Sequence, residues 1–280
     1  MLRSLGPVRA YGLQDVRRAL DVCAEDPVNN VFVAARIKES GLVGTRGPLF
    51  GYEAGGERAL CWCSANVVPV EAGPRALGAL AAKVVKRRAT ASSVFGPADQ
   101  VLDLWGRLER HWGIPREIRR NQLVMTMQTR PSVLGAEIDH LVRPARPDEL
   151  DLVVPAAAAM FTEEIGYPPY QGSDRGYRRG VAGLIEQGHS LVRVEDGRVV
   201  FKADLGSVAL GVAQVQGVWV HPDLRGRGLA APAMAAVVEH TIAHVAPVVT
   251  LYVNDFNERA IATYRRVGFV QTGTFATVLL

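Results

Sequence analysis

The chain has 280 residues, of which 48% are hydrophobic and 21% charged, and it carries a net charge of +4. This composition excludes a disordered or collagen-like chain, and no run of about 18 apolar residues is present to span a membrane. Three cysteines, Cys23, Cys61 and Cys63, are too few and too odd for a disulfide framework and fit a cytoplasmic protein.

The N-terminal stretch MLRSLGPVRAYGL lacks a long apolar segment, so no secretory leader is expected. Two helices are expected near 13–24 and 28–40, followed by a hairpin near 48–64. Cys61 and Cys63 alternate onto one face of that hairpin. With no further ligands nearby they read as buried small hydrophobes, and no metal is expected. The strand NVVPV, a helix over 74–88, the strand SSVF, a helix over 97–112 and a strand over 121–128 complete the first half. The basic runs Lys83, Lys86, Arg87, Arg88 and Arg116, Arg119, Arg120 have no aromatic interleaving. They read as solvated helix ends, so no nucleic-acid partner is expected.

A break falls in TRPSVLGAEIDH, residues 129 to 140, and divides the chain into domains 1–136 and 137–280. The second half opens with a strand over 138–143 and a helix over 147–165 that is interrupted or kinked by Pro155. A Gly/Pro/Tyr-rich loop, GYPPYQGSDRGY, leads to a helix near 175–187. A hairpin turns at Asp196-Gly197 and VALGVAQVQGVWV extends its sheet. A helix over 229–245, the strand VVTLYVN, the helix NERAIATYRRVG and a final strand pair turning near Gly273 follow. The class is α/β (α+β). The first half has a similar rhythm and is expected to be a diverged copy of the second, although VEAGPRALG stands where an anion loop would fall.

Between the strand GVWV and the helix at 229 lies HPDLRGRG. Glycines let a backbone curl with its N–H groups facing inward, and a helix N-terminus adds unpaired donors and partial positive charge. Arg225 and Arg227 add full charges, so the segment suits a phosphate. It also fits a tight turn with two surface arginines.

In order along the chain, Arg225-Gly226-Arg227-Gly228-Leu229-Ala230, Asn254-Asp255-Phe256-Asn257 and Tyr264-Arg265-Arg266-Val267-Gly268-Phe269 resemble the signature of the GCN5-related N-acetyltransferases (GNAT) over about residues 138–280. The whole chain is also similar to two-domain actinobacterial members with an uncharacterised N-terminal half. The resemblance implies a mixed sheet flanked by helices in the C-terminal domain, a degenerate copy in the N-terminal one, and acetyl-CoA as co-substrate. It implies that the loop, extending through Ala231, binds pyrophosphate. It implies that the main chain of Val218, Trp219 and Val220 pairs with the pantetheine arm and frees an amide to polarise the thioester. Asn254 and Asn257 would contact the cofactor. Tyr264, near two full turns beyond Asn257, would also line the cofactor and protonate the departing thiolate. Asn257 equally fits an N-cap, and Tyr264 an ordinary half-buried tyrosine.

The acceptor would be an amine, on a small molecule, a protein N-terminus or a lysine, and a homodimer is allowed. On a helical projection Glu164 falls with Leu150, Val154, Ala157 and Phe161, and Glu163 falls about 100° away. Glu164 is therefore the candidate base, with ion pairing or solvation as the plainer alternative, and the terminal carboxylate of Leu280 is a second candidate. No cysteine lies in the motif regions, so attack would be direct, in a ternary complex. The rival expectations are a non-catalytic acyl-CoA sensor that binds a partner, a nucleic-acid binder that uses the basic helices and, within the enzyme class, a two-domain synthase acetylating a small thiol precursor.

Overall fold

A computed structural model describes residues 6–43 and 48–280. The first five residues, which carry part of the stretch read for a leader, lie outside the described residues. The first half contains β1 (Val8–Ala10), α1 (Val16–Cys23), α2 (Pro27–Ser40), β2 (Leu49–Ala54), β3 (Glu57–Cys63), β4 (Asn66–Val70), α3 (Pro74–Val84), β5 (Ser93–Pro97), α4 (Ala98–Trp112) and β6 (Glu117–Met127). The second half repeats that order as β7 (Arg143–Pro144), α5 (Leu150–Ile165), α6 (Arg175–Glu186), β8 (Ser190–Glu195), β9 (Arg198–Ala209), β10 (Val212–Val220), α7 (Ala230–His244), β11 (Val248–Asn254), α8 (Glu258–Val267) and β12 (Val270–Leu279).

Pairing repeats as well. Strands β1 to β4 are joined antiparallel and β5 runs parallel to β4. Strands β7 to β10 are joined antiparallel and β11 runs parallel to β10. Each half is thus a mixed sheet with helices, and the first is a topological copy of the second.

The compact units are not consecutive segments. One comprises the chain up to Val124 with Tyr252–Phe256 and Gln271–Leu280; the other comprises Met125–Leu251 with Asn257–Val270. Strand β12 pairs antiparallel with β5, from Phe275↔Pro97 to Leu279↔Ser93. Its Ala276 and Val278 are fully buried among Leu77, Leu80, Leu104 and Leu108 in the first core. A single cut near residue 136 therefore separates this strand from the unit in which it packs. The second core gathers Val153, Ala157, Val181, Ile185, Val192 and Trp219.

Local chemistry accounts for the elements. Asp26 caps α2, accepting from the Asn29 N–H at 3.1 Å, and Pro27 fills the first helical position. The hairpin β8–β9 turns on Asp196 and Gly197 at φ 48 and 72°, and β9–β10 turns on Leu210 and Gly211 at φ 53 and 75°. Two positive φ values are what a two-residue hairpin turn requires. The interruption expected at Pro155 does not occur: α5 is one helix from Leu150 to Ile165, with the proline in its second turn.

Both units lock their first helix in the same way. Arg9 of β1 pairs with Asp15 at 2.5 Å, and Asp15 accepts the Gly12 N–H at 3.0 Å. Arg143 of β7 pairs with Glu149 at 2.6 Å, and Glu149 accepts the Arg146 N–H at 2.8 Å. The Arg9 hydrogen bond holds the Asp15 carboxyl below its usual range. The Arg143 hydrogen bond and the Arg146 N–H, working against desolvation, hold Glu149 down to about 2.

Two expected strands differ. The strand over 138–143 shrinks to Arg143–Pro144. Asp139 folds the segment into a turn instead, its carboxylate accepting the Leu141 N–H at 3.0 Å and its carbonyl the Val142 N–H at 3.1 Å. The final pair is one continuous strand, Val270–Leu279, because Gly273 is not in the left-handed conformation of a tight turn.

Candidate active site

The site is built around β10. Its parallel ladder with β11 covers only Val212–Gln214 against Val248–Thr250, whereas its ladder with β9 continues to Val220. From Val215 to Val220, among the described residues, the strand is therefore paired on the β9 side only. A free edge of this kind takes an extended guest as an added strand.

The edge runs into the anion loop. A 3-10 turn over Pro222–Leu224 uses the Leu224 and Arg225 N–H groups, which donate to His221 and Pro222 carbonyls at 2.9 and 3.2 Å. Gly226 and Gly228 then adopt φ of 75 and 81°, a conformation L side chains avoid. Among the described residues, the N–H groups of Gly226, Arg227, Gly228 and Leu229 meet no protein acceptor. Helix α7 starts at Ala230 and adds its own unpaired first-turn donors; Pro232, in that turn, has no N–H to leave orphaned. Such a run of inward donors at a helix N-terminus binds phosphate.

The two loop arginines have different fates. Arg225 is built into the protein: its Nε donates to the Val220 carbonyl at 3.0 Å and its Nη2 to Glu163 at 2.7 Å. Glu163 also accepts from Trp219 Nε1 at 3.1 Å. One carboxylate thus fastens the end of α5 to β10 and to the loop. Arg227 makes no ion pair among the described residues. With Gly228 and Leu229 it lines a cleft of about 540 Å³ that also includes Glu137, His140 and Arg193.

Asn257 caps α8, its side-chain oxygen accepting the Ala260 N–H at 3.2 Å. The amide nitrogen of this exposed residue has no partner among the described residues. Tyr264 is buried and packs edge-on to Phe269 at 5.9 Å. Burial pushes its phenol well above the tyrosine range, and the charge of Glu164 pushes it the same way. Glu164 lies in the last turn of α5, where Thr162, Glu163 and Glu164 are all exposed. The helical projection places Glu164 on the apolar side, but at this level the helix has run past its core.

Asn254 and Leu280 belong to the first unit. Asn254 accepts from Gln122 at 2.9 Å, and Gln122 accepts from Thr277 at 2.6 Å. The Leu280 N–H donates to the Ser92 carbonyl at 3.0 Å, and its side chain packs on the first core.

A buried polar chain escaped the sequence reading. Lys202 is fully buried and donates to Asp204 at 2.6 Å and to the Gly217 carbonyl at 3.1 Å. Ser190 donates to the other oxygen of Asp204 at 2.8 Å. The signal was present: in VVFKADL two charges at i and i+2 share one face of an otherwise apolar strand. On the same side, burial and, second, the Asp204 charge push the Tyr177 phenol up to about 12. Among the described residues no group of three or more His, Cys, Asp or Glu is placed to hold a metal, and no helix is long and apolar enough to cross a membrane.

With this geometry in place, residues 157–269 match the model of the acetyltransferase (GNAT) family and residues 47–153 that of a domain of unknown function, DUF4081. Over 69 residues the chain is 35% identical to the peptidyl-lysine N-acetyltransferase YjaB of Escherichia coli K12; the match covers 25% of this chain and 44% of that protein. A GCN5-related N-acetyltransferase from Sphaerobacter thermophilus superposes with a TM-score of 0.63 at 18% identity, over 97% of this chain and 94% of that one. A GNAT-family acetyltransferase from Colwellia psychrerythraea gives 0.58 at 14% identity, over 98% and 99%. At these identities the two structures establish the fold alone.

Proposed function

Because the chain belongs, through residues 157–269, to the GNAT acetyltransferase family, we propose that it transfers an acetyl group from acetyl-CoA to an amine by direct attack in a ternary complex. The observation that carries this reading is the set of loop N–H groups without acceptors, continuous with a strand edge without a partner. Gly226 to Ala231 and Arg227 would hold the pyrophosphate. The main chain of Val218, Trp219 and Val220 would pair with the pantetheine arm, and the Asn257 amide would reach the same arm. Arg225 would keep the loop in shape through Glu163 rather than touch phosphate.

Chemistry divides between Tyr264 and Glu164. A buried neutral phenol keeps its proton at working pH and can give it to the departing thiolate. Glu164 would take the proton of the attacking amine. That protonation removes the negative charge that helps hold Tyr264 neutral, so proton uptake at one group eases proton release at the other. The described cysteines, Cys23, Cys61 and Cys63, are all buried and all in the first unit; direct attack is therefore favoured over a cysteinyl intermediate. Free thiols also suit a reducing cytoplasm.

The Escherichia coli relative is a peptidyl-lysine N-acetyltransferase, which makes lysine side chains the first acceptors to try, with small amines and protein N-termini next. Calorimetric titration of acetyl-CoA, followed by an amine screen read by CoA release, tests the reading. Binding without CoA release on any amine would favour a sensor; no binding would overturn the acetyl-CoA site.

A further inference from the structure

Strand β9 places a charged pair where an apolar side chain of equal length would fill the space at lower cost. What an apolar residue would not supply is a donor to the Gly217 carbonyl. The ladder between β9 and β10 slips there: Gln216 pairs with Asp204 and Trp219 with Lys202. Gly217 and Val218 thus oppose the single residue Ala203, a β-bulge that leaves Gly217 without a strand partner. Gly217 takes φ of 60°. A Cβ added to it would stand 3.0 Å from Met160 Cε and 3.2 Å from both Asp204 Oδ2 and Lys202 Nζ. The bulge is seated directly on the ion pair, and Ser190, cross-strand from Asp204, anchors the pair from β8.

The carbonyl of Gly217 and the N–H of Val218 belong to one planar peptide and point in opposite directions. Holding that carbonyl toward Lys202, on the β9 side, turns the Val218 N–H away from β9, to the edge that β11 has left. Val218 lies four residues before Pro222, about 13 Å along an extended strand, a reach suited to a pantetheine arm whose phosphates sit in the loop.

We propose that Lys202, supported by Asp204 and Ser190, is a positioning residue for acyl transfer that fixes the Gly217–Val218 peptide so that the Val218 N–H polarises the thioester carbonyl. The proposal rests on the acetyl-CoA reading above. It assigns the buried ammonium no proton transfer and no contact with substrate. Its product is a preset backbone donor, which costs no reorganisation when negative charge develops on the thioester oxygen.

The test is difference infrared spectroscopy of acetyl-CoA labelled with carbon-13 at the thioester carbonyl. It is bound to wild type, to the double variant Lys202→Met/Asp204→Asn and to Ser190→Ala, with calorimetry on each. Wild type is expected to lower the carbonyl stretch relative to free acetyl-CoA. The double variant should bind acetyl-CoA within about threefold of wild type, because the loop is untouched, yet lose most of that shift; Ser190→Ala should lose part of it. An unchanged stretch in a variant that still binds overturns the positioning role and leaves the acetyl-CoA reading standing. If the double variant does not fold, Ser190→Ala decides, and an unchanged stretch there overturns the role. No binding to wild type overturns both.

Discussion

The connection from β4 to α3 and the connection from β10 to α7 occupy the same place in the two copies, and their donors meet opposite fates. In the first copy the Ala72 N–H donates to Gln100 and the Gly73 N–H to Glu57, both at 3.0 Å. A carboxylate of the protein thus stands at the N-terminus of α3, where anions are favoured. A second one, Glu71, is held above its usual range by burial and accepts from Asn30 at 2.7 Å. In the second copy the loop is longer, carries two left-handed glycines and leaves four N–H groups open. The following helices differ in the same sense. Asn257 caps α8 and Tyr264 lies seven residues on; Pro97 precedes α4 and Leu104 lies seven residues on, fully buried. The fold delivers a helix N-terminus beside a parallel strand in both copies. Whether that place can take a ligand depends on whether the chain has supplied its own acceptors.

The strongest way to break this comparison is Gly228→Glu. It puts a like charge against the pyrophosphate, which costs several kcal/mol, so acetyl-CoA affinity should fall about 100-fold or more by calorimetry. The circular dichroism should match wild type. Retained affinity would mean that the open donors are not the site.

A second test concerns what the copies share. The folded-state carboxyl of Glu149 is depressed from 4.5 to about 2. Its stabilisation is therefore full above the ordinary carboxylate range, about 3 kcal/mol, and is lost mainly as pH falls from about 4.5 to 2. Denaturant unfolding at pH 6 and pH 3 should show a larger acid loss for wild type than for Glu149→Gln; equal losses would remove this carboxylate as the cause. Asp15, depressed by Arg9, should act in the same direction in the first unit.

Tyr264→Phe should lower kcat by about 10²-fold on the best amine of the screen while acetyl-CoA affinity holds. A variant with wild-type kcat would return Tyr264 to the status of Leu104. The smallest effect is expected from Glu57→Ala. Loss of one charged hydrogen bond should cost about 1–2 kcal/mol and create no second site, so acetyl-CoA stoichiometry stays at one per chain. A stoichiometry of two in either protein would show that the first copy is not closed.

Much of the second unit was legible because its chemistry is local. The glycines at 226 and 228 and the helix start at Ala230 act within a few residues, as do the Asn257 cap and the hairpin at Asp196-Gly197. Interactions across elements were not legible. Nothing in a helical projection says that Glu163 meets Arg225, more than sixty positions away, or that a helix will outrun its core before Glu164. Lys202 was half legible: period-two alternation put it on a face with Asp204, but only the bulge explains what an ammonium does there. The repeat was read from rhythm alone. Its residue-level trace is the pair Arg9–Asp15 and Arg143–Glu149, each spanning six positions from first strand to first helix, which becomes visible once both carboxylates are seen capping the same turn. The partner of β12 was hidden because an alternating strand pattern states which face is apolar and not which strand lies beside it.

The pairing of β12 with β5 has a consequence for biosynthesis. Translation proceeds from the N-terminus, and a self-contained N-terminal domain folds while the rest is still being made. Here residues 271–280 leave the ribosome only after the elements β7 to α8 have been made, and until they do, Leu77, Leu80, Leu104 and Leu108 lack Ala276 and Val278. The first half must wait, with apolar surface open, for a strand made after all the other strands of the second half. The interval between the two is a window in which a nascent-chain chaperone would find its substrate.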